Sequence, residues 1–352
     1  MILRQQLRKI VWQKVRQKMP SSISSAVKNN EPKLKTKRAL VLGCGAVAGA
    51  AWMIPALAQV REQLKWNPED ADIFIGTSVG AVLVSLIAGG ITLNDLIASQ
   101  EGQHQNIWNH DKDSGPWYPP LPTFKFTAPQ LFKKMRKGDL NRLTGWIGLL
   151  PQGGFDMTPF IKLIDRVKAT EGIHKGWVEH DNCWLVCVDD QTGERKAFGR
   201  DRSELNNLDL SQAVCASYGV PGWCPPVAID GRCYIDGGVS SPCSADMLID
   251  SDIEEVIMLV PMSASNPDKP WSPFKKIERK VRKGMTEIVD KEVALLEAAG
   301  KKVIRIEPTA EDLQAIGYNM MDPRRRKLVY TVSQASSKEN VRKALIKGLG
   351  VI

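Results

Sequence analysis

The segment Ile73-Phe74-Ile75-Gly76-Thr77-Ser78-Val79-Gly80-Ala81 constrains this chain more than any other. An apolar run enters G-x-S-x-G, and a second apolar segment, Val82 to Ala88, leaves it. That order predicts a strand, a sharp turn and a helix, with one serine at the tip. Such a turn presents a hydroxyl beside a helix N-terminus, where developing negative charge is stabilised. It points to acyl transfer or ester hydrolysis. Gly-Thr-Ser-Val-Gly also serves as an ordinary turn between strand and helix, so the reading depends on what else the chain carries.

The neighbouring sequence repeats the same grammar. Arg38 to Leu42 reads as a short buried strand, followed by a glycine-rich loop and a helix to about Gln63. Asp72 to Ile75 is the next strand. Later strand candidates are Cys183 to Val188, Cys233 to Ile235, Val256 to Val260 and Val303 to Ile306. Helices are expected at Thr158 to Lys168, Leu210 to Ala216, Ser244 to Ile249 and Ile277 to Ala299, with Gly300 as a stop signal. Strands alternating with helices imply an α/β fold with a mostly parallel central sheet.

A serine nucleophile needs a base and an oxyanion hole. The four histidines, His104, His110, His174 and His180, lie in no recognisable motif, and none follows residue 180. That rules out the late histidine of an α/β-hydrolase triad. The candidate base is Asp236, in Tyr234-Ile235-Asp236-Gly237-Gly238-Val239, where two glycines let backbone approach the carboxylate closely. The candidate oxyanion loop is Leu42-Gly43-Cys44-Gly45-Ala46-Val47-Ala48-Gly49. Its position between strand and helix also suits a dinucleotide phosphate loop. Two features oppose that: the spacing is G-x-G-x-x-x-G, and the second strand ends in Gly76-Thr77-Ser78 rather than an acidic residue for a ribose.

Taken together, a glycine loop after the first strand, G-x-S-x-G after the second and D-G-G roughly 160 residues later resemble the patatin-like phospholipase family. The resemblance runs from about Ala39 to Pro261. Val188-Asp189-Asp190-Gln191-Thr192-Gly193 is similar to the family's strand-ending acidic turn. The stretch from Ala213 to Gly222 with Pro225-Pro226 is similar to its helix and proline-rich wall, and Ser241-Pro242 with Ala245-Asp246 to the segment after the aspartate. The resemblance implies a three-layer α/β/α fold and a Ser-Asp dyad, with Ser78 as nucleophile and Asp236 as base. It implies an oxyanion hole at Gly43, Cys44, Gly45 and Ala46, motif glycines at Gly49, Gly76, Gly80, Gly237 and Gly238, and lipid esters as substrates. No metal or other cofactor is called for.

The chain departs from the family at the oxyanion loop. Three consecutive glycines, a variable residue, a basic residue and a glycine are replaced by Cys44, Gly45, Ala46, Val47, Ala48 and Gly49. A side chain at a position requiring φ > 0 distorts such a loop or strains it. The alternatives carried alongside the hydrolase are an acyltransferase using the same dyad and a catalytically silent lipid-binding protein.

Charge divides the chain. Its net charge is +9, but residues 1–38 hold eleven Lys or Arg against the single acid Glu31, while the remainder carries 37 basic and 38 acidic groups. This confines the basicity to a tail and argues against nucleic acid as a partner of the body. Ile2, Leu3, Leu7, Ile10, Val11, Val15 and Met19 fall at helical spacing among the basic residues. Residues 1–19 are therefore expected to form a basic amphipathic helix suited to an anionic membrane surface, to an organelle-targeting role or to packing on its own domain. The expected division is a tail and linker over 1–37, a hydrolase domain over 38–262 and a C-terminal α/β extension over 263–352. Within the second, residues 102–155 are rich in Trp, Pro and Gly and read as a lid or surface insertion. In the third, the cluster Lys275, Lys276, Arg279, Lys280, Arg282 and Lys283 and the cluster Arg324 to Lys327 read as solvated helix faces or as additions to a membrane-facing surface. Seven scattered cysteines without C-x-x-C spacing suit neither a disulfide framework nor a zinc site. With no secretory signal visible, and the longest apolar segment (Val79 to Gly90) too short to span a bilayer, a cytoplasmic, peripherally membrane-associated protein is expected.

Overall fold

Alternation along the first strand sets the architecture. In β1 (Arg38–Leu42), Leu40 and Leu42 join one buried cluster and Ala39 and Val41 another, so both faces of the sheet are covered. The computed structural model describes residues 36–350 other than 104–106, 109, 111–117, 119–120, 122–124, 141, 169–172 and 175. The expected N-terminal helix, and Trp117, Pro119, Pro120, Pro122 and Phe124 of the insertion, lie outside the described residues.

Ile173–His174 and Trp177–Val178 pair as a separate two-stranded antiparallel sheet; the remaining strands of the main sheet are β2 (Ile73–Thr77), β3 (Cys183–Asp189), β4 (Arg195–Phe198), β5 (Val227–Ile229), β6 (Arg232–Asp236), β7 (Glu255–Leu259) and β8 (Lys302–Ile306). Together with β1 they form one eight-stranded sheet in the order β8-β7-β1-β2-β3-β6-β5, with β4 also pairing β3. The five strands from β8 to β3 are parallel, whereas β6, β5 and β4 join antiparallel. The segment around Val303 thus extends the sheet rather than capping it: Val303 pairs with Val256.

Helices α1 (Ala46–Leu64), α2 (Val79–Ala88), α7 (Leu210–Ser217) and α10 (Arg326–Leu349) lie over the Leu40 face. On the Ala39 face lie α8 (Pro273–Ala298) and the short 3-10 turn Ala245–Leu248, where a longer helix was expected. Helix, sheet and helix make the three layers. The other helices are α3 (Leu93–Gln100), α4 (Pro129–Lys137), α5 (Arg142–Ile147), α6 (Thr158–Lys168) and α9 (Ala310–Ile316). No described helix is long and apolar enough to cross a membrane.

Part of the expected insertion is anchored. Helices α4 and α5 fold back through a bridge between Phe126 and Pro151, and Thr144 donates its hydroxyl to the Val239 carbonyl at 2.9 Å. Leu131 packs with Ile235 and Val239, at the end of the strand that carries Asp236.

The basic clusters are not simply solvated. Arg282 is 1% exposed and bonds Glu278 and the Pro261 carbonyl; Arg279 bonds Asp268 and the Leu313 carbonyl. Arg326 is buried on the Gln100 carbonyl. Each guanidinium is fixed by a carboxylate or by backbone oxygens, the condition under which burying a charge is tolerable. Lys275, Lys276, Lys280 and Lys283 do remain at the surface.

Candidate active site

Register brings the two motifs together. Thr77 pairs with Val186 and Asp236 with Cys187, so the residue after β2 and the last residue of β6 reach the same level of β3 from its two neighbours. Ser78 and Asp236 both face one cavity there, and the Ser78 side chain is close enough to draw down the pKa of the Asp236 carboxylate.

Ser78 has φ 59° and ψ −126°, a strained backbone for a residue with a Cβ. Three features hold it. A Cβ on Gly76 would fall 2.4 Å from the Ala81 Cα, and one on Gly80 would fall 1.9 Å from the Leu42 carbonyl oxygen, so only glycines permit so tight a turn against β1. The Ser78 N–H donates to the Ser217 Oγ at 3.0 Å, and the Ser217 hydroxyl donates to the Val186 carbonyl at 2.6 Å. Ser217 is fully buried and braces the turn from α7.

Asp236 is 4% exposed, and its Oδ1 accepts the Gly238 N–H at 2.7 Å. Burial raises its pKa from the usual 3.8 to about 7, against the opposing pull of the Ser78 and Gly238 hydrogen bonds. The two following glycines are sterically required. A Cβ on Gly237 would meet the Val186 carbonyl oxygen at 2.5 Å, and one on Gly238 the Cys44 Sγ at 2.9 Å.

Within the expected oxyanion loop, two N–H groups are already engaged. Gly43 donates to the Leu259 carbonyl at 2.9 Å and Cys44 to the Pro242 carbonyl at 2.8 Å. Among the described residues, the N–H groups of Gly45 and Ala46 have no protein acceptor, and they stand at the start of α1. Gly45 is pressed against Pro261, its Cβ position 2.6 Å from the proline Cβ, and Gly49 faces the same ring. Ala46 takes φ 49°, so one of the two replaced glycines does occupy a left-handed position. Cys44 does not, and its thiol is pushed well up by burial and by Asp236, with Arg282 opposing. That guanidinium, behind Pro261, is a positive charge near a loop whose own Ala48 carries none.

A cavity of about 470 Å³ opens over Ser78. Cys44, Gly45, Ala46, Ser78, Asp236 and Gly238 line its floor; Gly43, Gly49, Gly76, Gly80 and Gly237 do not face it and act on the backbone. The walls are apolar: Leu150 and Ile147 on one side, Val220 and Trp223 on another, Met285 and Met320 on a third. No described histidine lines this cavity; His180 sits on the Ala71 carbonyl, its pKa lowered by burial. No group of three or more His, Cys, Asp or Glu among the described residues is placed to hold a metal ion.

The patatin-like phospholipase family model matches residues 40–249. The chain belongs to the patatin-like phospholipase family. Among solved structures it is similar to VipD from Legionella pneumophila, at 13% identity and a TM-score of 0.41, over 88% of this chain and 67% of that one. Comparison with curated proteins finds no match. Lipid acyl hydrolysis is the activity that the family carries.

Two contributions to this patatin-like site were not read from sequence. Ser217 lies in the Ala213–Gly222 stretch noted for its resemblance, but nothing in Ala-Ser-Tyr singles out its hydroxyl. The cavity wall from α8 and from Tyr318 to Met321 comes from the C-terminal segment, whose apolar residues are interleaved with lysines and arginines.

Proposed function

We propose that this protein is a serine carboxylic-ester hydrolase acting on acyl lipids, with Ser78 as nucleophile and Asp236 as its base. The observation that carries this reading is that Ser78 and a buried aspartate share the floor of an apolar cavity, with the serine side chain acting on that carboxylate. As the Ser78 Oγ attacks an ester carbonyl, its proton passes to the Asp236 carboxylate. The carbonyl oxygen becomes an oxyanion facing the N–H groups of Gly45 and Ala46. Collapse of the tetrahedral intermediate expels the alcohol, which takes the proton from Asp236. A water then repeats the sequence on the acyl-enzyme, and Ser78 is regenerated. A pKa near 7 makes Asp236 a far better base at neutral pH than an ordinary aspartate.

The catalytic unit is 38–262, 263–352 completes its cavity, and the tail over 1–37 binds an anionic membrane surface through residues 1–19. Seven unpaired cysteines, six of them buried, support a reducing cytoplasmic location. The test is hydrolysis of a short-chain p-nitrophenyl ester by wild type, Ser78→Ala and Asp236→Asn, each checked for folding by circular dichroism. Loss of at least about 10³-fold in both variants is expected. Activity surviving Ser78→Ala would sink the mechanism.

A further inference from the structure

The mouth of the Ser78 cavity is apolar, and among the described residues its rim is exposed. Leu150, Phe274, Ile277 and Tyr318 line the cavity and are also 41–65% exposed. The Phe274 and Tyr318 rings meet with centroids 5.6 Å apart, which joins the start of α8 to the segment after α9 in one rim. Trp271, three residues before Phe274, is 96% exposed. Large apolar side chains gathered around an opening are unusual on a surface that meets only water.

We propose that this rim is a docking face for an anionic lipid bilayer. The charge pattern of α8 selects that occupant. Lys280 follows Ile277 by three residues, and Lys276 and Lys283 extend the same exposed stripe. None of the three forms an ion pair among the described residues. Lysines flanking aromatic and aliphatic groups match a bilayer, where the apolar groups enter the acyl boundary and the ammonium groups stay among headgroups. A protein partner would have to desolvate those ammonium groups, and lysine is depleted from such interfaces. Geometry supplies the second argument. The cavity runs from the rim to Ser78, so a lipid leaving the bilayer here moves to the serine without exposing its acyl chain to water. The proposal rests on the reading of this cavity as a lipid-ester site, and it adds a docking surface separate from the N-terminal tail.

The test uses the full chain with Ser78→Ala, so that lipid is not consumed and the tail is present in every sample. Partition onto sedimented vesicles is measured with phosphatidylcholine alone and with 30% phosphatidylglycerol. Lys276→Gln/Lys280→Gln is expected to weaken binding on the order of 30-fold on the anionic vesicles and not on the neutral ones. Trp271→Ala is expected to weaken it roughly tenfold on both. Partition equal to the parent for both variants overturns the proposal. So does gel filtration showing a dimer that these substitutions dissociate, since the face would then belong to a second copy. The same substitutions with Ser78 restored are assayed on a soluble p-nitrophenyl ester, where the parental rate is expected. If that ester is not hydrolysed even by wild type while vesicle binding falls as stated, the docking face stands and the hydrolase reading fails.

Discussion

The raised pKa of Asp236 makes a thermodynamic prediction independent of any substrate. In the unfolded chain an aspartate ionises near 3.8, whereas in the folded protein burial delays ionisation to about 7. Because the folded pKa is the higher one, the contribution of Asp236 to stability is greatest below about pH 4, falls as pH rises and levels off above about 7. The full effect is about 4 kcal/mol, and about 3 kcal/mol of it falls between pH 5 and pH 8. Asp236→Asn removes the ionisation while keeping an oxygen that can accept the Gly238 N–H. The gain in stability from Asp236→Asn should therefore be about 3 kcal/mol larger at pH 8 than at pH 5. Urea unfolding of both proteins at both pH values measures this as a gap in midpoints that widens by on the order of 1 M. The comparison cancels groups common to both proteins, including Glu292, which burial also raises to about 7. Midpoints that change in parallel would refute the reasoning, because Asp236 would then titrate as an ordinary surface carboxylate.

The same ionisation should appear in the rate. kcat/KM for a soluble ester is expected to rise about tenfold per pH unit below pH 7 and to level off above it, as Asp236 loses its proton and becomes able to accept one from Ser78; a flat profile from pH 5 to 8 contradicts this. Ser217→Ala leaves the Ser78 N–H buried without its acceptor, so a loss of about 1–3 kcal/mol in stability is expected, with a fall in kcat of roughly 10- to 100-fold and KM little changed, read by urea unfolding and ester kinetics. Gly80→Ala drives a Cβ against the Leu42 carbonyl and should cost more than about 3 kcal/mol, whereas Gly284→Ala in α8, with nothing within 4 Å, should stabilise by about 0.5–1 kcal/mol; thermal unfolding of the pair separates the steric effect from ordinary helix propensity.

What the sequence made legible was local. β1, β2 and the serine turn are short segments whose apolar runs and glycines sit next to one another, so pattern alone locates them. The pairing of Ser78 with Asp236 is not local. It depends on two registers, Thr77 with Val186 and Asp236 with Cys187, which no periodicity reveals. The lack of a late histidine made Asp236 a candidate base, and the resemblance then joined the two residues as a dyad. Helix α10 was missed for a packing reason. Beyond Arg326 and Tyr330, its buried positions Val329, Ser333, Ser337, Val341 and Leu345 recur every four residues, but two are serines, which read as polar. They are buried because α10 lies close against α1, where the Ser333 hydroxyl reaches the Trp52 carbonyl at 2.8 Å.

The C-terminal segment follows the same logic with greater consequence. On α8 the lysines and arginines alternate so closely that sequence suggests one solvated face. Folding divides them: Arg279 and Arg282 turn inward to carboxylates and carbonyls, and Lys276, Lys280 and Lys283 stay outside. Between the two sets run Phe274, Ile277 and Val281, facing the cavity. Arg282 holds the Pro261 carbonyl, and the Pro261 ring presses on Gly45 and Gly49. One helix therefore supports the loop from Gly43 to Gly49 from behind, walls the cavity above Ser78 and carries the outer lysines. A chain ending at residue 262 would keep Ser78 and Asp236 and lose the support beneath the loop, the third cavity wall and strand β8.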